Sequence, residues 1–261
     1  MLKILQISDP HILPETTDTL LGINTEYYFR QVLDTAHAEH GPFDLILVTG
    51  DLGQDPCPAS YRRILQQLQT YQTTTVCLPG NHDDFGMMQA ILNEGTVSCR
   101  KQLQLENWQI ICLNSQKIGS PVGELPAEEL AFLEACLIAE PNMPALIALH
   151  HHCIATGAGW LDSMQIENSS ALLELLGRYP QVKAITYGHV HHEFTATYDG
   201  IAIFSAPATC FQFELHSTEF SVEDTPPGYR IFECFADGSL KSASYRISEP
   251  LRGLIKNAHS Y

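Results

Sequence analysis

Short apolar runs alternate along residues 1–190 with stretches whose apolar residues recur at helical spacing. Six runs rich in Ile, Val and Leu predict buried strands, and they cover Ile4 to Ser8, Leu45 to Thr49, Thr75 to Leu78, Gln109 to Leu113, Ala145 to Leu149 and Val182 to Tyr187. Apolar positions three or four residues apart predict five helices, which contain Phe29, Ile64, Met87, Leu130 and Leu172. This alternation predicts βαβ units around a largely buried, mainly parallel sheet.

The pattern changes from Glu193 onward to strands joined by tight turns. Asp199-Gly200 and Asp237-Gly238 are dipeptides that favour two-residue hairpin turns. No long Pro/Gly/Ser linker or charge block divides the 261 residues, which are enough to bury one large core. We therefore expect an α/β protein with a single domain over residues 1–250, a strand-rich C-terminal part, and a C-terminal tail over residues 251–261.

The net charge of the chain limits which classes of binding partner are expected. The formal net charge is -16, and it is spread without an acidic run. Affinity for nucleic acid or for an anionic membrane depends on Lys and Arg that neutralise phosphates, so neither is an expected partner. A small phosphate ester remains compatible with an acidic protein, because bound metal ions can create a local positive site.

The eight cysteines form no C-x-x-C pair, and several, such as Cys77 and Cys112, lie inside predicted strands. They indicate reduced core residues rather than a disulfide framework. Met1 leads directly into a predicted strand, and no stretch approaches the roughly 20 apolar residues of a membrane span. We expect a cytoplasmic protein.

Polar segments with the chemistry of metal ligands follow five of the six predicted strands. They are Asp9-Pro10-His11, Gly50-Asp51, Gly80-Asn81-His82-Asp83, His150-His151-His152 and Gly188-His189-Val190-His191. Open α/β sheets place ligand sites beyond the carboxyl ends of their strands, so these segments are expected to meet. Each motif alone is weak, but five in order at strand ends together indicate one site.

The first three segments supply oxygen and nitrogen donors. Asp9 and His11 are one residue apart in a loop and can reach one ion. Asp51 has two carboxylate oxygens and can bridge two cations about 3.5–4 Å apart. Asn81 can bind through its amide oxygen, whereas His82 is displaced by one residue and can face substrate.

The histidine-rich segments complete the set. His189 and His191 alternate, so an extended backbone places both rings on one face. Among the three adjacent histidines, His150 lies nearest the strand and is the expected ligand, His151 can contact substrate or a bridging solvent, and His152 can be structural. Oxygen donors mixed with imidazoles suit Mn²⁺, Fe or Zn²⁺ better than thiolate-selective ions.

These residues resemble the calcineurin-like metallophosphoesterase superfamily, whose pattern D-x-H, G-D, G-N-H-D/E, a strand-end H and G-H-x-H is present in full. Further segments resemble the bacterial class III 3′,5′-cyclic-AMP phosphodiesterases: Leu149 to His152, Gly159 to Asp162, Pro207 to Phe213, and Pro227 to Arg230. One departure is Cys153, where close relatives usually have Pro. The resemblance implies a four-layer α/β/β/α sandwich.

The resemblance also implies roles for the site residues. Asp9, His11, Asp51 and His191 would hold one metal, and Asp51, Asn81, His150 and His189 the other. His11, Asp51, Asn81, His82 and His191 would line the substrate phosphate. Members commonly use iron or manganese.

We therefore expect a two-metal phosphodiesterase that hydrolyses 3′,5′-cyclic AMP to 5′-AMP, through in-line attack by a metal-bridging hydroxide. Two +2 ions, less Asp9, Asp51 and the hydroxide, leave a site charge of roughly +1, which favours a phosphate ester. His82 and His151 are the expected catalytic side chains. Alternatives are an enzyme for 2′,3′-cyclic nucleotides, glycerophosphodiesters or phosphomonoesters, and a non-catalytic metal-binding scaffold. A monomer or a homodimer is expected.

Overall fold

A computed structural model of the chain describes residues 1–258 and residue 260. The described elements, in chain order, are β1 (Leu2–Ile7), α1 (Thr25–His40), β2 (Leu45–Thr49), α2 (Pro58–Gln69), β3 (Thr75–Leu78), α3 (Phe85–Leu92), β4 (Val97–Ser98), β5 (Gln102–Leu105), β6 (Trp108–Cys112), α4 (Ala127–Ala139), β7 (Ala145–Ala148), α5 (Gly159–Asp162), α6 (Ser169–Leu176), β8 (Val182–Tyr187), β9 (Phe194–Tyr198), β10 (Ile201–Ser205), β11 (Gln212–Phe213), β12 (Val222–Glu223), β13 (Gly228–Cys234) and β14 (Leu240–Arg246).

Two six-stranded sheets form the centre of the protein. The first has the strand order β14-β13-β1-β2-β3-β4, and the second has the order β5-β6-β7-β8-β10-β9. Strands β1 to β4 run parallel, as do β6, β7, β8 and β10. The antiparallel strands β13, β14, β5 and β9 lie outside these parallel cores.

The alternation of side chains along each strand divides the buried apolar residues into two clusters. Leu2 and Ile4 of β1 pack with Trp108 and Ile110 of β6 in a cluster between the sheets. Ile7 and other residues of opposite parity belong to the cluster that includes the helices. Because successive side chains of a strand point to opposite faces, the layers stack as α/β/β/α. The predicted fold class is confirmed.

All six predicted strands and all five predicted helices are present. Buried parallel strands carry apolar residues on both faces, which is why their sequences were recognisable as apolar runs. The hairpin turns are also confirmed, since Asp199-Gly200 joins β9 to β10 and Asp237-Gly238 lies between β13 and β14. The short elements β4, β5 and α5 had no sequence signal.

The described part of the tail packs on the body of the protein. Leu251 is buried, the Arg252 N–H donates to the Tyr28 hydroxyl at 2.8 Å, and the Ile255 N–H donates to the Leu21 carbonyl at 2.9 Å. Residues 259 and 261 of the predicted tail lie outside the described residues. The domain boundary at residue 250 stays a prediction.

Two further expectations concern the whole chain. None of the eight cysteines forms a disulfide in the described structure, and seven of them are buried. Among the described residues, every helix is too short or too polar to cross a membrane.

Candidate metal centre

The predicted ligand segments leave the carboxyl ends of strands in both sheets and meet at one place. Asp9 and Asp51 follow β1 and β2 of the first sheet, and His150 and His189 follow β7 and β8 of the second. Backbone hydrogen bonds align the loops, since the Asp9 N–H donates to the Gly50 carbonyl at 3.1 Å. The centre is therefore assembled between the sheets.

The backbone is unusual at the ligand positions. Positive φ angles occur at Asp9 (53°), His11 (46°), Asp51 (50°), His189 (66°) and His191 (44°). They are half of the ten non-glycine residues with positive φ in the described chain. Each such residue costs about 1–3 kcal/mol and persists only where the surroundings enforce it, so strain is concentrated at this site.

Two motif glycines make room for ligand side chains. A Cβ on Gly50 would lie 2.3 Å from His150 Nδ1, and a Cβ on Gly80 would lie 2.2 Å from Asp51 Oδ1. Both distances are far shorter than van der Waals contact between unbonded atoms. The sequence pairs these glycines with ligands because any larger residue would displace them.

His11 and His191 present ring nitrogens to each other. The His11 Nδ1–H donates to Gln54 Oε1 at 2.7 Å, and the His191 Nδ1–H donates to the Phe211 carbonyl at 3.0 Å. The two Nε2 atoms are 3.1 Å apart, and burial lowers the pKa of His11 to about 3. Neutral rings in these tautomers would direct two lone pairs at each other, an arrangement that a shared cation relieves.

His150 faces oxygen donors on its inner side. Its Nδ1–H donates to the Thr49 carbonyl at 2.8 Å, while Nε2 lies 3.1 Å from Asn81 Oδ1 and 3.3 Å from Asp51 Oδ2. Burial lowers the pKa of His150, but Asp51, Asp9 and the Thr49 carbonyl outweigh it and raise the pKa to about 9. A pKa raised this far favours a proton on Nε2, at the position that a metal ion would take.

Asp51 lies between the two groups of histidines. Its Oδ1 accepts the His82 backbone N–H at 2.9 Å. Its Oδ2 is buried, has no hydrogen-bond partner among the described residues, and lies 3.7 Å from His11 Nε2 and 3.3 Å from His150 Nε2. Burial opposes ionisation, but the neighbouring histidines, His150 above all, hold the pKa of Asp51 well below its usual range. This carboxylate can serve two ions.

His189 completes the set with two unpaired nitrogens. Both ring nitrogens are buried without a hydrogen-bond partner in the described part of the chain, and burial holds the pKa of His189 well below its usual range. Its backbone N–H donates to Asp9, with both carboxylate oxygens at 3.1 Å. Asp9 Oδ1 also lies 3.5 Å from His191 Nε2.

The donors fit a pair of metal ions. Ligand atoms within 4.8 Å of one another occur in the groups Asp9, Asp51, His150; His150, His151, His189; His11, Asp51, His82; and His11, His191, Cys210. Buried polar atoms normally find a partner, and here several are orphaned while directed at the same space. Imidazole and carboxylate donors suit divalent transition metals. The structure thus brings together every predicted ligand, and it adds Cys210 as a neighbour that the sequence did not assign.

The other two histidines of the triplet differ in position. His151 Nδ1 lies 2.8 Å from Ser115 Oγ, and the Ser115 hydroxyl accepts the His151 backbone N–H at 3.2 Å. Its ring is close to those of His150 and His189. His152 is fully buried, with Nε2 3.8 Å from Asp162, which places it behind the centre.

A buried carboxylate organises two of the ligand loops. Asp83 accepts backbone N–H groups of Gly80 at 2.9 Å, Leu52 at 3.1 Å and Gly53 at 3.0 Å, and the Tyr61 hydroxyl at 2.9 Å. Burial raises the pKa of Asp83 to about 6. The sequence contained this residue inside a motif but gave it no role. Gln54 had no signal at all, because its partner lies 43 positions away.

The layered fold and the paired donor groups define a metal-dependent phosphoesterase. The calcineurin-like phosphoesterase family matches residues 2–193. The chain therefore belongs to that family and is a hydrolase of phosphate esters that uses divalent metals.

Three proteins similar to it in sequence carry names that state a more specific activity than the family name does. The chain is 38% identical over 250 residues to the 3′,5′-cyclic adenosine monophosphate phosphodiesterase CpdA of Haemophilus influenzae, covering 95% of this chain and 91% of the relative. It is 36% identical to CpdA of Escherichia coli, covering 95% and 90%. It is 38% identical to a 3′,5′-cyclic-nucleotide phosphodiesterase of Nostoc, covering 94% and 92%.

Solved structures support the fold. A dimetal phosphatase from Danio rerio aligns with a TM-score of 0.64 at 13% identity, covering 95% of this chain and 99% of that structure. The TT1561 protein of Thermus thermophilus aligns with a TM-score of 0.58 at 11% identity, covering 92% and 97%. At these identities the likeness concerns the architecture alone.

Proposed function

We propose that this protein hydrolyses 3′,5′-cyclic AMP to 5′-AMP. The proposal depends on the buried metal-ligating atoms that have no hydrogen-bond partner among the described residues. The most important are Asp51 Oδ2 and the two ring nitrogens of His189. The relatives that share 36–38% identity over nearly the whole chain are named as cyclic-nucleotide phosphodiesterases. The donor set supports metal-dependent hydrolysis, and the relatives support the substrate.

We assign one metal position to Asp9, His11, Asp51 and His191, and the other to Asp51, Asn81, His150 and His189. When bound, two such ions would supply a water molecule that is acidic enough to lose a proton near neutral pH and to attack as hydroxide, and they would offset phosphate charge. Iron or manganese is the proposed pair, and zinc is compatible with the same donors.

The remaining steps fall to side chains around the phosphate. His11, Asp51, Asn81, His82 and His191 are proposed to surround the phosphoryl group. Water adds to phosphorus in line with the ribose 3′ oxygen and loses a proton, the phosphorus–O3′ bond breaks, and the 3′ oxygen takes a proton. His151, with its Nε2 buried near His150 and His189, is proposed to contact the attacking solvent.

His82 is the proposed partner of the leaving oxygen. Its backbone N–H is fixed by Asp51, its Nδ1 lies 3.3 Å from the Gln54 carbonyl, and its ring is partly exposed. Donation of Nδ1–H to that carbonyl would turn Nε2 toward substrate. From there His82 either protonates the leaving alkoxide or stabilises its charge.

Steady-state hydrolysis tests the substrate. Protein loaded with Mn²⁺ or Fe²⁺ is assayed with 3′,5′-cyclic AMP, cyclic GMP, 2′,3′-cyclic AMP, glycerophosphocholine, a phosphomonoester and bis(p-nitrophenyl) phosphate. Selective formation of 5′-AMP is the expected result. Preference for another ester would show that this protein is a phosphoesterase with a different substrate. No turnover of any ester would indicate a metal-binding scaffold without catalytic activity.

The role of His82 has its own test. His82→Ala is expected to keep both metals and to lose about 10²–10⁴-fold in kcat. His40→Ala, at the end of α1, is the matched control because it removes an imidazole outside the proposed site. Wild-type turnover of His82→Ala would refute the assignment.

Two expectations about the setting also remain proposals. Reduced, buried cysteines support a cytoplasmic location. A monomer or a homodimer is proposed, and light scattering of the purified protein would distinguish the two.

A further inference from the structure

A cavity of about 270 Å³ opens beside the proposed metal centre. Asn81, His82 and His189 are among the residues that line it. Two of these residues are proposed metal ligands, and the third faces substrate in the proposed mechanism. A molecule whose phosphate lies at the centre would therefore extend directly into this cavity.

Three aromatic side chains also line the cavity. Trp160, Phe213 and Phe220 line it, with ring centroids 4.8 Å apart for Trp160 and Phe213 and 5.4 Å for Trp160 and Phe220. Phe213 is buried and stacks on the ring of the ligand His191 at 4.1 Å. The aromatic wall and the metal centre are thus in direct contact.

The wall is unsuited to a polar alcohol and suited to a flat ring. A glycerol group would lose water from its hydroxyls without matching partners on these rings, which is costly. Any nucleobase can stack on an aromatic side chain, because every base has a π face. The cavity volume of about 270 Å³ equals that of about nine water molecules in the liquid, so a bicyclic base fits within it.

We infer that this cavity binds the purine base of the substrate and that Trp160 is the residue that determines base affinity. The inference rests on the proposed cyclic-nucleotide phosphodiesterase function. Phe213 is committed to packing against His191, whereas Trp160 is partly exposed and provides the largest ring of the wall. Trp160 acts on binding of the base and takes no part in the phosphoryl chemistry.

A pair of substrates isolates this contribution. One is 3′,5′-cyclic AMP, and the other is methyl riboside 3′,5′-cyclic phosphate, which has the same cyclic diester and no base. In Trp160→Ala, the ratio of kcat/KM for the first substrate to kcat/KM for the second is expected to fall by about 10-fold or more, because stacking on the indole is lost. The loss is expected in KM, with kcat retained.

Two variants control for damage to the fold. Trp160→Phe keeps an aromatic face and removes no hydrogen bond formed within the described residues, so it should restore most of the ratio. Phe132→Ala removes a partly buried ring of α4 that does not line the cavity, so it should leave the ratio unchanged. An unchanged ratio in Trp160→Ala would overturn the inference even if cyclic AMP is the substrate.

Fluorescence gives a second readout that needs no turnover. The chain has two tryptophans, and Trp108 is buried between the sheets with its Nε1–H donating to the Phe235 carbonyl at 2.8 Å. Addition of 5′-AMP to metal-loaded protein should quench the emission of Trp160, and ribose 5-phosphate should quench it far less. Equal responses to both would overturn the inference, and quenching by 5′-AMP in a protein that does not cleave cyclic AMP would support the base site while refuting the proposed function.

Discussion

Gly188 is a position where one added methyl group should disturb the metal centre. A Cβ at this glycine would lie 2.0 Å from Ser8 Oγ, 2.6 Å from the Thr49 carbonyl oxygen and 2.9 Å from Asp9 Oδ2. The serine hydroxyl can rotate away, but the Thr49 carbonyl belongs to β2 and cannot move alone. The loop that carries His189 must therefore shift away from the first sheet.

The size of the effect follows from these contacts. Overpacking in a well-packed interior costs about 1–3 kcal/mol, and for a chain of this size each kcal/mol lowers Tm by about 2–4 °C. We expect Gly188→Ala to lower the Tm of the metal-free protein by about 2–12 °C. Because the shift separates Asp9 from the His189 N–H, we also expect weaker metal binding.

The assay compares thermal unfolding and metal content for Gly188→Ala and for a matched variant. Gly159→Ala adds the same methyl group at an exposed position where the described structure has no atom within 4 Å beyond the adjacent residues and the helix's own backbone, so its metal content should equal that of the wild type and its Tm should not fall. Equal values for Gly188→Ala would refute the reasoning, because they would show that the two sheets do not hold this loop as tightly as the distances require.

Three further predictions concern the ligands. Asp51→Asn removes the charge that both ions share, so elemental analysis should find the protein depleted of both metals; full occupancy would contradict the bridging role. Gln54→Leu removes the acceptor that orients His11, so metal affinity measured by chelator competition should fall about 10- to 100-fold, and an unchanged affinity would refute the orienting role. Metal binding should strengthen from about pH 6 to about pH 9, because ligands must lose their protons and the proton on His150 is held to a pKa of about 9. Since that value exceeds the ordinary 6.5, the proton also stabilises the metal-free fold below about pH 6.5, a contribution lost as the pH rises through about 9. Titration calorimetry in buffers of different ionisation enthalpy should detect the released proton, and its absence would contradict the assignment.

The fold was predictable because its central strands carry apolar residues on both faces. The apolar run Leu45 to Thr49 predicted both ends of β2, and the polar residues that follow this run predicted where the site lies. The strand ends predicted which side chains would converge, as the 3.3 Å between Asp51 Oδ2 and His150 Nε2 shows. Local sequence carries this information because a strand end is also the end of an apolar run.

The details of the centre were not predictable from local sequence. Gln54 contacts His11 across 43 positions, and nothing near either residue encodes that pairing. The positive φ values of the ligands are imposed by contacts between loops, and neither aspartate nor histidine requires them. Helix α5 has four residues and no side-chain cap. The segment that contains Trp160 therefore showed neither the helical spacing of apolar residues nor a capping residue from which a helix could be predicted.

A centre built from two sheets requires that the sheets be fixed relative to each other, and apolar packing alone has no direction. Two buried polar side chains supply the direction. Gln6 of β1 donates to the Tyr187 carbonyl at 3.1 Å and accepts the Thr186 hydroxyl at 2.6 Å, both on β8. Arg230 of β13 is also buried, and it donates to the Ser205 carbonyl of β10 at 2.8 Å. Since hydrogen bonds weaken steeply away from their preferred geometry, these links restrict sliding of one sheet over the other. Asp9 and Asp51 of the first sheet therefore meet the histidines of the second at distances short enough for shared ions.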